Sequence, residues 1–216
     1  MYVYTMTHNE IIREYEKDYE KVMRRASYEI AGFRSAFLRK NKRSYPYSRV
    51  YEYTTPDTHN RYLYVLSANC KRELLDPIVF VYAFYTNKKG MTGLLGVVQH
   101  DITGKEYCIF YSRHFFERYG ERALGTTGVS WQDIANVFIC TGHISPIMEN
   151  NEQLSNAPER YKPDEEAVQV AFWFEDGVVF SNLYSRFIEW TTYVSKDMLG
   201  DNQLDEVRRQ LGDVAA

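Results

Sequence analysis

The stretch THNEIIREYEKDYEKVMRRASYEIAGFRSAF, Thr7 to Phe37, sets the architecture. Its apolar residues recur at Ile12, Tyr15, Tyr19, Val22 or Met23, Ala26, Ile30, Phe33 and Phe37, in steps of three and four. That spacing places them on one side of an α-helix. Thr7-x-x-Glu10 has the capping-box pattern, in which each side chain satisfies the other residue's free backbone N–H. No proline interrupts the run, and the pattern fades at Arg39-Lys40-Asn41-Lys42-Arg43. The spacing predicts one helix from Thr7 to about Lys40, roughly eight turns long, with its apolar stripe buried. Acidic residues crowd its first half and basic residues its second, opposed there only by Glu29. This polarity complements the helix dipole, and it also offers a surface to nucleic acid or to a protein partner.

Beyond this helix the period changes to strands. Arg49–Thr54, Arg61–Ser67, Ile78–Tyr85, Leu94–Gln99 and Tyr107–Tyr111 are rich in Val, Ile, Tyr and Phe, with short turn-forming gaps between them. Short gaps predict an antiparallel meander rather than parallel βαβ units. Gly90, Gly93 and Gly96 read as hairpin glycines, since no Gly-Lys-Ser/Thr follows to make a nucleotide loop. Helical pattern then returns at Arg113–Leu124, after the cap Ser112, and again from Ser130-x-x-Asp133 to Thr141. Ser145–Asp164 reads as a long loop. Strands at Val168–Phe174, Val178–Leu183 and Phe187–Val194 follow, the first two joined by the hairpin signal Glu175-Asp176-Gly177. Ser195–Leu199 and Gln203–Leu211 read as helical, before a short tail.

The expected class is therefore α+β: a long N-terminal helix, an antiparallel β-meander, then two helices followed by a small antiparallel sheet. The corresponding stretches are 1–44, 45–112, 113–199 and 200–216, together forming one compact domain or more. At 216 residues the chain is long enough to bury a sizeable core without disulfides or metal. Its net charge of −3 supplies no global attraction for nucleic acid or anionic membranes, so such binding needs a local basic patch. Cys70, Cys108 and Cys140 are widely spaced and read as free thiols. Neither a secretory signal nor an apolar run of spanning length is visible, which makes the cytoplasm the expected compartment and a membrane partner unexpected. Cys140-x-x-His143 is half a zinc site with no second pair, so neither a metal nor a cofactor is expected.

One cluster carries chemistry. On the helix at Arg113–Leu124, Phe115, Phe116 and Tyr119 fall on one side, and His114, Arg118 and Arg122 stack at i, i+4 and i+8 on another. Arginine presents a planar fork that fits phosphate oxygens. The helix N-terminus and the two arginines favour a neutral His114, able to take a proton from a ribose 2′-hydroxyl. The matching text is Ser112-Arg113-His114-Phe115-Phe116-Glu117-Arg118-Tyr119-Gly120-Glu121-Arg122, then Val129-Ser130-Trp131-Gln132-Asp133-Ile134, then Ile188-Glu189-Trp190-Thr191-Thr192-Tyr193-Val194. Over about residues 105–199 this order resembles the barnase/EndoU/colicin/RelE-like ribonuclease superfold, in particular its small toxin-like members. The resemblance implies a metal-independent endoribonuclease acting through the 2′-hydroxyl. His114, Arg118 and Arg122 would be catalytic or phosphate-binding, with Thr192 (or Thr191) and Tyr193 as final-strand partners. The first half of the chain has no counterpart in it. The alternative expectation is a non-catalytic interaction protein that binds a partner through the N-terminal helix.

Overall fold

The computed structural model describes residues 5–40, 42–99, 106–141, 147–149, 154, 167–174 and 177–212. The chain divides into two compact units, residues 1–97 with 136–141 and residues 98–135 with 142–216.

The first unit is built on α1, His8–Leu38. Its capping box forms as the sequence predicts: Glu10 N–H donates to Thr7 Oγ1 (3.4 Å), and Thr7 N–H donates to Glu10 Oε2 (2.7 Å). The buried stripe runs through Ile11, Ile12, Tyr15, Val22, Ala26, Phe33 and Phe37, with Tyr19 and Ile30 at its margins. β1 (Tyr47–Thr54), β2 (Arg61–Ala68), β3 (Ile78–Thr86) and β4 (Thr92–Gln99) form the expected antiparallel meander in chain order. α1 packs across β1, β2 and β3. The Tyr15 hydroxyl donates to Val81 O (3.1 Å), and the Phe33 ring lies 4.9 Å from that of Tyr47. Full burial of a side chain such as Phe33 contributes about 1.5–3 kcal/mol. The N-terminal helix and the meander thus pack as one unit.

The second unit holds β5 (Glu106–Ser112), α2 (Arg113–Arg122), the first turn of α3 (Trp131–Thr141), β6 (Ile147–Glu149), β7 (Val168–Phe174), β8 (Gly177–Leu183), β9 (Phe187–Ser195) and α4 (Asp201–Leu211). Its strands lie in the order β5-β9-β8-β7-β6. Here the structure corrects the sequence reading. β5, expected as the last strand of the meander, pairs in parallel with β9, so the C-terminal strands are not a separate antiparallel sheet. Short gaps report which strands follow one another, but not which strand accepts the other edge. Ser195–Leu199, read as helical, holds a short 3-10 helix at Lys196–Met198. Most of the expected loop Ser145–Asp164 lies outside the described residues, as do Glu175, Asp176, His143 and residues 213–216; within that loop, β6 pairs with β7.

Strand alternation gives these strands two faces. Phe172, Phe174, Trp190 and Tyr193 form an aromatic layer with Phe115 and Tyr119 of α2. Ala171, Trp173 and Val178 point the other way, into a cluster with Met148, Leu154, Leu199 and Val207 of α4, flanked by Phe180 and Val194. Gln203 Nε2 donates to Leu154 O (2.7 Å), tying α4 to that chain segment.

Candidate functional site

α2 begins where β5 ends, because Ser112 caps it. Phe115 N–H donates to Ser112 Oγ (3.1 Å), and the same hydroxyl donates to Thr191 O of β9 (3.2 Å). Phe115, Phe116, Tyr119 and Gly120 turn into the sheet and are fully buried. Space is tight at Gly120, where a Cβ would stand 2.8 Å from Ile134 Cδ1.

His114, Arg118 and Arg122 share one side of α2, as expected, and spiral from solvent towards the sheet. His114 is exposed, and Arg118 and Arg122 are half-buried. Although the residue as a whole is exposed, partial loss of water around its ring, then Arg118, lowers the His114 pKa below its ordinary value; Arg122 adds to this while Glu117 and Glu121 oppose it. Imidazole is therefore the favoured form, with burial rather than the helix end as the leading cause. Both arginines are engaged. Arg118 Nη1 pairs with Glu121 Oε2 (2.6 Å), and Arg122 Nη1 donates to Tyr193 O. Arg113 pairs with Glu117 (2.6 Å).

Of the two final-strand partners, Tyr193 meets this cluster through its backbone carbonyl rather than its hydroxyl, and Thr192 lies apart from it. β9 carries a bulge at Thr191: Phe180 pairs with Thr192 and Ser181 with Trp190, leaving Thr191 as the extra residue, its Oγ1 donating to Phe180 O (2.8 Å). Thr192, opposite Phe180, shares the face that packs against α4 and not the face under α2. Tyr193 does face α2, but as a core residue. It is 1% exposed, its ring sits 5.6 Å from Tyr119, and its hydroxyl lies over Gly177, where a Cβ would stand 2.5 Å away. The sequence placed five residues in one site, and the fold keeps three together. What remains is a neutral imidazole beside one ion-paired guanidinium and one guanidinium anchored to the backbone.

Of two further features of α1, the sequence reading missed one and took the other only as a charge asymmetry. The first is Asp18, which interrupts the apolar stripe and is fully buried. Its Oδ2 accepts from Thr58 Oγ1 (2.6 Å), Asn60 Nδ2 (2.8 Å) and Tyr62 OH (3.1 Å), and its Oδ1 from Lys21 Nζ (3.0 Å). Lys21 also reaches Asp57 Oδ2 (2.5 Å). Burial opposes the charge on Asp18, but these hydrogen bonds outweigh it and hold the carboxyl below its ordinary range. An aspartate at a stripe position was the available signal.

The second is the outer face of α1. Arg24, Tyr28, Ala31, Arg34, Ser35, Leu38 and Arg39 are all exposed there. Tyr28 is 70% exposed and Leu38 46%. Arg24, Arg34 and Lys42 make no ion pair among the described residues, and Arg39 bonds only the Ser35 carbonyl (3.3 Å). By contrast, Glu14 pairs with Lys17, Asp18 and Asp57 with Lys21, and Glu29 with Arg25.

Among the described residues, no group of three or more His, Cys, Asp or Glu is placed to hold a metal ion, and no helix is long and apolar enough to cross a membrane. Compared with known protein families, with curated proteins and with solved structures, the chain matches none.

Proposed function

We propose that this is an interaction protein that presents the outer face of α1 to a negatively charged partner, the rest of the fold serving as scaffold. The supporting observation is the set Arg24, Arg34, Arg39 and Lys42, exposed and in no ion pair among the described residues, in a chain of net charge −3. Such a local basic patch draws an anionic surface by Coulomb attraction where global charge does not. The test is retention on immobilised heparin at rising salt. Wild-type protein is expected to bind at low salt and elute as screening shortens the range of the attraction. The Arg24→Glu/Arg34→Glu/Arg39→Glu variant is expected to flow through. Equal retention of the two proteins, or no retention of either, would sink this reading.

A second reading is the metal-independent cleavage of RNA through its 2′-hydroxyl by His114 with Arg118. The lowered pKa of His114 favours it, because a general base must be unprotonated. It must now dispense with Thr192 and with the Tyr193 hydroxyl. Incubation with mixed RNA in EDTA tests it: fragments ending in 2′,3′-cyclic phosphate, made by wild type and not by His114→Ala, are its signature.

A further inference from the structure

We infer that the outer face of α1 docks an acidic amphipathic helix; this rests on the interaction reading above and specifies the partner. Tyr28, Ala31, Ser35 and Leu38 follow one another at spacings of three, four and three on the exposed side of the helix. That is the seam spacing of helix-on-helix packing, separate from the stripe that α1 buries against its own sheet. The ends of the seam are large and apolar, its middle is Ala31 and Ser35, and Gly32 lies beside it. A partner helix can approach closely over the small residues and be gripped by Tyr28 and Leu38. The seam rises about 15 Å, close to three turns.

Charge selects among occupants. At about 100° per residue, Arg24 heads the seam, Arg34 lies on one side and Arg39 on the other. In a paired helix such flanking positions choose the partner by charge. A second copy of this chain laid along the same stretch would set arginine against arginine. A nucleic acid would meet the cations but would leave the spaced apolar seam unused. An amphipathic helix with Leu on its inner positions and Glu on its flanks satisfies both features.

The experiment uses the full chain and a labelled designed peptide of that kind, with Leu at the seam positions and Glu at the flanks. Its controls are a scrambled peptide of identical composition and a single-stranded RNA of matched charge, all followed by fluorescence anisotropy. The helical peptide is expected to bind at least about tenfold tighter than either control. Tyr28→Ala/Leu38→Ser is expected to remove that preference without moving the thermal midpoint, and Arg34→Glu/Arg39→Glu to weaken peptide and scramble alike. If scramble or RNA binds as tightly as the peptide, the interaction reading stands and the helix inference falls. If no anionic probe binds, both fall. If the protein sediments as a dimer that Tyr28→Ala/Leu38→Ser dissociates, a second copy occupies the seam and the inference is overturned.

Discussion

At Asp18 a full negative charge sits out of water, compensated by four donors on α1 and on the chain from Thr58 to Tyr62. Removing the carboxylate leaves those donors unmatched in a buried place, where each lost partner costs free energy. Asp18→Ala is therefore expected to lower unfolding free energy by on the order of 3 kcal/mol, read from urea denaturation. The pH dependence has a definite sign. The folded pKa lies below the unfolded one, so the unfolded chain takes up the proton first. The stabilisation is present above the ordinary aspartate range and is lost as pH falls through the folded value. Asp18→Ala should flatten that acid limb of the stability profile, and an unchanged limb would remove the carboxylate from this role. His114 differs in kind. Its folded pKa is also lowered, so the imidazolium is disfavoured by folding and any contribution is lost as pH falls below the ordinary histidine range. Because burial is the larger cause and Arg118 the second, Arg118→Ala should raise the His114 pKa only part of the way back. An NMR titration of the ring protons checks this; no shift at all would mean that Arg118 does not act on the ring. His114→Ala should change stability by no more than about 0.5 kcal/mol, as expected of an exposed side chain.

Among the elements, β9 decides how much of the sequence-derived site survives. The caps at Thr7 and Ser112, the 3–4 spacing of α1 and the aromatic side of α2 were all legible, because local side-chain chemistry and period determine them. The bulge at Thr191 was not, since inserting one residue shifts the alternation of everything beyond it. It lets Trp190 and Tyr193 both face α2, and it sends Thr192 to the α4 side. Parallel pairing of β5 with β9 was equally hidden, because nothing in a strand's own residues names its second neighbour. The packing over this bulged strand can be probed at its glycine neighbour. A Cβ on Gly177 would stand 2.5 Å from the Val194 carbonyl oxygen and 2.5 Å from the Tyr193 hydroxyl, whereas one on Gly120 meets chiefly the movable end of Ile134. Gly177→Ala is expected to cost about 1–3 kcal/mol through overpacking, and Gly120→Ala less. Thermal denaturation of the pair checks the order; the reverse order would contradict this packing.

For the whole molecule, the two basic clusters compete as the place where an anion meets the protein. On α2 the arginines are held by Glu121 and by the Tyr193 carbonyl. On α1 the cations of the outer face stand in solvent beside exposed apolar side chains. The charge asymmetry of α1 was readable in the sequence, but its second seam was masked by the stronger stripe on the same helix. Only the packed sheet shows which stripe is covered and which is left over. An environment-sensitive fluorophore is placed on Ser27→Cys, beside the seam of α1, or on His114→Cys of α2, each in a Cys70→Ser background because Cys70 is exposed. Each protein is titrated with the acidic helical peptide. A saturable emission change is expected from the label at position 27 and none from the label at position 114. A change at position 114 alone would contradict the α1 site and place the anion site on α2.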